Sequence, residues 1–213
     1  TTLADYCYYM MFSGCTNLAT APVLPAITLT DHCYDKMFDS CSSLTIAPAL
    51  PATTLADHCY QGMFIRCVSL TQAPALSATV LMPHCYENMF YGCEALRVVP
   101  ALPATVLTMN CYSAMFSNCI SLITVPALPA TILAEDCYSD MFNNCTSLYV
   151  TDSSISGATK EWRIPTNETI VVGNYLQDSM FSNCAGSGNR ASDNFSGTTG
   201  SYFVYYTQNS LPC

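Results

Sequence analysis

A nine-residue block, Cys-Tyr-x-x-Met-Phe-x-x-Cys, recurs along this chain and constrains its fold more than any other feature. Six copies occupy residues 7–15, 33–41, 59–67, 85–93, 111–119 and 137–145, the first with a further methionine, Met10. Each copy begins 26 residues after the previous one. A constant period of this length is typical of a solenoid, because one unit cannot cover its own apolar face and needs neighbours to bury it.

The first half of each unit has the composition of a short strand. Leucine stands three residues after a block, at Leu44, Leu70, Leu96, Leu122 and Leu148. Thr, Ile and Val follow it, as in the run at 122–125. A proline ends these runs at Pro22, Pro48, Pro74, Pro100 and Pro126. Because proline has no N–H to donate to a ladder, we expect very short parallel strands that stop at this residue.

The second half of each unit has the apolar spacing of a helix. Leu55, Cys59, Met63 and Cys67 follow one another at intervals of four, which is typical of one face of an amphipathic helix of about three turns. The sequence therefore predicts an α/β solenoid. Its units form a right-handed coil, with short parallel strands on one face and short helices on the other.

The repeat pattern divides the chain into two parts. Residues 1–148 contain about six 26-residue units, of which the first is incomplete because the chain starts in the middle of a unit. We expect that end to be continued by a longer protein or covered by another subunit. Residues 149–213 are interpreted as an insertion, a degenerate last repeat and a C-terminal cap.

The second part retains traces of the repeat. A degenerate block returns at 179–184, and Cys184 follows Cys145 by one period plus 13 residues. Strand-like runs occur at 169–172 and 202–206.

The run at 63–76, Met-Phe-x-x-Cys-x-x-Leu-x-x-Ala-Pro-x-Leu, resembles the leucine-rich repeat of BspA-like surface proteins. Their unit has an Ala-Phe-x-x-Cys-x-x-Leu core followed by an Ile-x-Ile-Pro strand. Here Met replaces the Ala, and a proline and a Cys-Tyr pair are added in a longer unit. The resemblance covers about 1–148 and 176–184. It implies a leucine-rich-repeat-like architecture and an adhesion or ligand-binding role on a bacterial surface or in a phage-encoded protein.

The charge balance is acidic, with 15 Asp and Glu residues against 6 Lys and Arg residues and a net charge of −9. A phosphate backbone or an anionic membrane surface would be repelled, so we expect no nucleic-acid partner. The chain contains no uninterrupted apolar run of about 18 residues, and we therefore expect no membrane-spanning segment.

The 14 cysteines are interpreted as buried core residues, with disulfides and metal ligation as alternatives. The two cysteines of one block would lie about 12 Å apart on a helix, whereas a disulfide needs Cα atoms within about 7 Å. Leu176 replaces the first cysteine in the degenerate block, which indicates that this position needs only an apolar group. Cys184 and Cys213 have no partners in the repeat and are the candidate disulfide.

Two columns of repeated residues are candidate sites. Three histidines precede block cysteines, at His32, His58 and His84, where other units have Tyr6, Asn110 and Asp136. Because this position tolerates several polar types, we predict an exposed, variable column and not a zinc site. The block tyrosines are Tyr8, Tyr34, Tyr60, Tyr86, Tyr112 and Tyr138. They are predicted to pack between helices with their hydroxyls in solvent, and a carbohydrate-stacking surface is the alternative.

The functional prediction is a non-enzymatic binding or adhesion module with no catalytic residues and no cofactor. Its candidate contact residues form a variable column on the strand side: Thr45, Thr71, Arg97, Ile123 and Tyr149. The expected partner is a host or bacterial surface protein or glycan, and the expected location is extracellular, on a cell surface or on a virion. The alternative is a structural segment of an extracellular fibre or virion appendage that assembles end to end. An enzyme located in 149–213 is the third hypothesis.

Overall fold

The structure is a computed structural model that describes residues 3–151, 160–163, 180, 184 and 202–206. Within these residues there are three strands and no helix. The strands are β1 (Tyr149–Thr151), β2 (Lys160–Arg163) and β3 (Tyr202–Tyr206). The helices expected in the second half of each unit are therefore wrong for the described repeats. It follows that no described segment is a helix long and apolar enough to cross a bilayer.

A continuous series of β-turns takes the place of each helix. In residues 30–41, the N–H of Cys33 donates to the carbonyl of Thr30, and the N–H of Asp35 donates to the carbonyl of His32. Every fourth residue has a positive φ: His32, Lys36 and Ser40 have φ values of 52°, 52° and 60°. His32 is the third residue of the turn that starts at Thr30, and a positive φ at this position is the signature of a type II turn, so every second turn of the series is of this type. The four-residue spacing that predicts a helix is thus the length of two successive turns.

The remaining N–H groups of each turn series bind the next unit. The N–H of Tyr34 donates to the carbonyl of Cys59 at 3.0 Å, and the N–H of Phe38 donates to the carbonyl of Met63 at 2.9 Å. The same bonds recur one period further on, between Tyr60 and Cys85. Backbone N–H groups therefore alternate between closing a turn and joining two units. This pattern satisfies the buried backbone without a helix and stacks the units in register.

We call each 26-residue unit a coil, with the first at 5–30, the second at 31–56, the third at 57–82, the fourth at 83–108, the fifth at 109–134 and the sixth beginning at 135. On the strand side the coils meet through single-residue parallel bridges. One column of bridges joins Thr20, Ile46, Gln72 and Val98. The run at 122–125 does not form a strand. The expected strands are therefore reduced to isolated bridges, two residues before the prolines.

Identical side chains stack through the core. Phe38, Phe64, Phe90, Phe116 and Phe142 are buried, and their rings lie 5.5–5.6 Å from their neighbours. Successive coils are thus related by a regular translation along the stack. The right-handed sense of the coil and its membership of the leucine-rich-repeat class stay predictions.

The degenerate block continues the stack beyond the sixth coil. The N–H of Phe142 donates to the carbonyl of Met180 at 2.8 Å. The thiol of Cys184 donates to the carbonyl of Phe142 across 42 residues, where the equivalent bond of Cys145 spans 29. The two bonds differ in span by 13 residues, which is the length of the insertion between the sixth coil and the degenerate block.

A small antiparallel sheet accompanies the end of the stack. Its strand order is β1-β3-β2, with Tyr149 opposite Tyr206 and Trp162 opposite Phe203. The strand predicted at 202–206 is present as β3. The run predicted at 169–172 lies outside the described residues.

Candidate binding surface

The predicted variable column lies on the outer surface of the strand side of the stack. We call this the bridged side, because the single-residue parallel bridges join the coils there. Thr45, Thr71 and Arg97 are exposed, and Ile123 is half-buried. The N–H of Thr71 donates to the carbonyl of Thr45 and the N–H of Arg97 donates to the carbonyl of Thr71, both at 3.4 Å. These bonds place consecutive column members on adjacent coils. Tyr149 begins β1, and its side chain lies outside the described part of the chain.

A groove of about 680 Å³ runs beside the column between the second and third coils. Residues 45–51 form one wall, and residues 71–75 with Ser77 form the other. Each wall contains the order Ala-Pro-Ala, at 47–49 and 73–75, so the walls carry short side chains and a proline corner. The sequence contains this repeated signal, but only the structure shows that both copies line one groove.

The chemistry of this surface is mixed. Thr45 and Thr71 supply hydroxyl groups, and Arg97 supplies a positive charge. The neighbouring Ile46 and Val98 are 74% and 56% exposed, which is high for large apolar side chains. Such a surface can contact apolar groups and donate hydrogen bonds at the same time.

The histidine column is stacked and half-buried, so its predicted exposure is wrong. The centroids of the His32 and His58 rings are 4.4 Å apart, and those of His58 and His84 are 4.3 Å apart. Parallel rings direct their nitrogens side by side, which does not converge on one ion. Consistent with this geometry, no group of three metal-ligating side chains occurs among the described residues.

The block tyrosines of the second to sixth coils are buried, contrary to the expectation that their hydroxyls reach solvent. Tyr60 and Tyr86 stack at 5.8 Å, and Tyr86 and Tyr112 stack at 5.9 Å. Burial raises the pKa of Tyr34 to about 12. Because both faces of an internal ring contact other rings, these tyrosines offer no free face to a sugar.

Each cysteine of the described residues carries a thiol group and is not part of a disulfide. The second cysteine of a block donates its thiol hydrogen to the preceding coil, as from Cys67 Sγ to the carbonyl oxygen of Phe38 at 3.1 Å. Burial raises the pKa of Cys67 and of Cys111 to about 12. The buried thiols are therefore protonated at neutral pH and act as core residues, since nucleophilic attack and metal ligation need the thiolate.

The candidate disulfide has only one member in the described part of the chain. Cys184 is a buried free thiol there, and burial raises its pKa to about 12. Cys213 lies outside the described residues, so its pairing stays a prediction.

Thiol labelling will report this burial directly. In the native protein at pH 8, we expect Cys7 and Cys15 to react with an alkylating reagent within minutes, because both are exposed. The eleven buried cysteines of the described residues are expected to react only after denaturation. Peptide mass spectrometry of samples alkylated before and after unfolding identifies each site. Rapid native labelling of Cys85 or Cys93 would contradict the stacked core.

Comparisons with known proteins found no relative of this chain. No family model matches the chain, and neither the curated proteins nor the solved structures contain a match. The resemblance to BspA-like repeats accordingly stays a prediction.

Proposed function

We propose that this protein is a non-enzymatic binding or adhesion module that contacts a surface protein or a glycan with its bridged side. The observation that carries the proposal is a contrast between two neighbouring positions of each coil, a buried leucine and the exposed residue that follows it. Leu44, Leu70 and Leu96 are identical and fully buried, whereas the residues that follow them, Thr45, Thr71 and Arg97, are exposed and change from threonine to arginine along the stack. A rigid stack with a fixed core and variable outer residues is the common basis of recognition by repeat proteins.

The groove supports the same proposal. It lies beside the column and combines hydroxyl groups with short apolar side chains, which suits an extended peptide or a glycan chain. The net charge of −9 opposes contact with nucleic acid or an anionic membrane. Adhesion to a host or bacterial surface places the module outside the cell, on a cell surface or on a virion. The proposal assigns no catalytic residue and no cofactor.

A binding screen tests the proposal. The full chain would be applied to arrays of extracellular matrix proteins, bacterial surface proteins and glycans, and each hit would be measured again with Thr71→Lys and Arg97→Ala variants. We expect both changes to weaken binding by about tenfold or more, because both alter the centre of the proposed contact. Thr105→Lys is the matched control, since Thr105 is exposed but lies outside the column and the groove. Equal binding by all variants would rule out this surface.

End-to-end assembly is the second candidate, and one observation favours it. In the first coil Met10 and Met11 are 39% and 57% exposed, although their block is apolar and stacks onto the second coil. At the other end, the N–H of Phe142 is already bonded to Met180, so a second copy cannot occupy that position. Light scattering over a range of concentrations decides between the candidates. Strictly monomeric particles at high concentration would exclude end-to-end assembly and leave the binding module.

A further inference from the structure

The strongest feature that the proposed function does not use is the histidine stack, which consists of His32, His58 and His84. The backbone of each histidine is held rigidly between coils. The N–H of His32 donates to the carbonyl of Asp57 at 3.0 Å, and the N–H of His84 donates to the carbonyl of Met109 at 3.0 Å. All three residues have φ values of 52–55°. These backbone bonds and φ values hold the three histidines in the same register across successive coils.

The two outer histidines have carboxylate partners. Nδ1 of His32 lies 2.9 Å from Asp35 Oδ2, and Nδ1 of His84 lies 2.7 Å from Glu87 Oε2. Nδ1 of each outer ring therefore lies at hydrogen-bond distance from a carboxylate oxygen. The Asp35 carboxylate is also approached by Lys36 Nζ at 3.7 Å.

The middle histidine has no such partner. Nδ1 of His58 is buried without a hydrogen-bond partner. The residue three positions later is Gln61, where the second and fourth coils have Asp35 and Glu87, and Nε2 of Gln61 donates to Glu87 at 2.8 Å. A proton on His58 would thus add an uncompensated charge about 4.4 Å from two other imidazoles. Burial, followed by the charges of His84 and His32, lowers the pKa of His58, while Glu87 and Asp57 oppose this effect.

We propose that the histidine stack is an acid-sensitive latch that holds the second, third and fourth coils together when His58 is neutral and loosens when His58 takes up a proton. Because the pKa of His58 is lowered in the closed state, the open state binds the proton more readily. The stability of the closed state is complete above about pH 6.5, the ordinary histidine value, and is lost progressively as the pH falls below it.

Two further side chains, those of Asp31 and Tyr6, lie near the stack. Asp31 Oδ1 accepts the N–H of Asp57 at 3.2 Å, so its charge is engaged beside the second and third coils. Tyr6 covers the outer face of His32, with ring centroids 4.5 Å apart.

The latch has a consequence for the groove, which rests on the proposed function. The second and third coils carry the two walls of the groove, at 45–51 and 71–75. Loosening of these coils would separate the walls, so a ligand bound in the groove would be released in acid. The latch itself is independent of any ligand and is tested without one.

Hydrogen–deuterium exchange of the full chain at pH 7 and pH 5, corrected for the intrinsic pH dependence of exchange, tests the latch. We expect the amides of Tyr34 and Tyr60, which bond to the next coil, to exchange severalfold faster at pH 5 than at pH 7. The amide of Tyr112, in the fifth coil below the stack, makes the same type of bond and is the internal control. Equal exchange at both pH values, or equal acceleration at Tyr112, would overturn the proposal.

Two substitutions sharpen this test. His58→Asn is expected to abolish the acceleration and retain the fold, because Asn110 occupies the same register with a φ of 52°. Asn110→His adds a fourth ring and is expected to extend the acceleration to the fourth and fifth coils. Acid-induced opening that persists in the His58→Asn variant contradicts the latch. If that variant does not fold, the Asn110→His variant decides the question, and its failure to extend the opening counts against the proposal.

Discussion

Replacement of Phe90 by alanine is expected to lower the free energy of unfolding by about 3–5 kcal/mol. Phe90 is fully buried, and its ring stacks on Phe64 at 5.5 Å and on Phe116 at 5.6 Å. Removing the ring loses its transfer free energy and leaves a cavity between two rings that the backbone bonds between coils hold apart. Urea denaturation of both proteins, followed by circular dichroism and extrapolated to water, measures the difference.

Phe12→Ala is the matched control for this substitution. Phe12 occupies the same register in the first coil, is only half-buried, and stacks on Phe38 at 5.5 Å. Phe12 has one ring contact where Phe90 has two, and water already reaches its side chain. We therefore expect Phe12→Ala to lower the free energy of unfolding by less than half as much as Phe90→Ala. Equal losses at the two positions would show that the phenylalanines do not form a continuous stack.

Replacement of Asn88 by proline is expected to cost about 3 kcal/mol or more. Asn88 has a φ of 55°, which the proline ring cannot adopt, and its N–H donates to the carbonyl of Ser113 at 2.9 Å. The substitution therefore strains a turn and breaks a bond between the fourth and fifth coils. Thermal and urea denaturation measure the loss, and a near-neutral effect would be incompatible with the turn series.

Two further substitutions at Asn88 distinguish turns from a helix by the sign of their difference. In a turn with positive φ, the Asn88→Gly variant is expected to be more stable than the Asn88→Ala variant by about 1 kcal/mol, because glycine adopts this φ without steric cost. In a helix the order is reversed by about the same amount. Gly62 and Ala114 occupy this register in other coils, so both variants are expected to fold. Higher stability of the alanine variant would restore the helical prediction.

The alternating backbone bonds explain why this repeat uses few charges. A helix satisfies its backbone within one unit, and side chains then have to hold the units together. Here half of the N–H groups in each turn series already bond the next coil, as Tyr34, Lys36 and Phe38 do with the third coil. The outer residues are therefore free to vary, as the column does from Thr71 to Arg97, without loss of the stack.

The signal for turns was present in the sequence but was outweighed by the apolar spacing. Glycine or asparagine stands at several of the positions that have a positive φ, among them Gly62, Asn88, Gly92 and Asn118. These residue types are favoured at positive φ and disfavoured inside helices. The period of four is common to both structures, because one helical row and two successive turns each return the side chain to the same face after four residues.

The sequence by itself determined the 26-residue period, the apolar identity of the core columns, the return of the block at 179–184 and the strand at 202–206. Each of these depends on a pattern along the chain, and a repeated pattern stacks wherever each unit needs a neighbour. Only the tertiary structure decided that the block tyrosines are buried, that the walls at 45–51 and 71–75 form a groove, and that His58 lies between two histidines without a partner. Those properties depend on which way each residue faces across coils, and the sign of φ, which the apolar spacing does not encode, sets that direction.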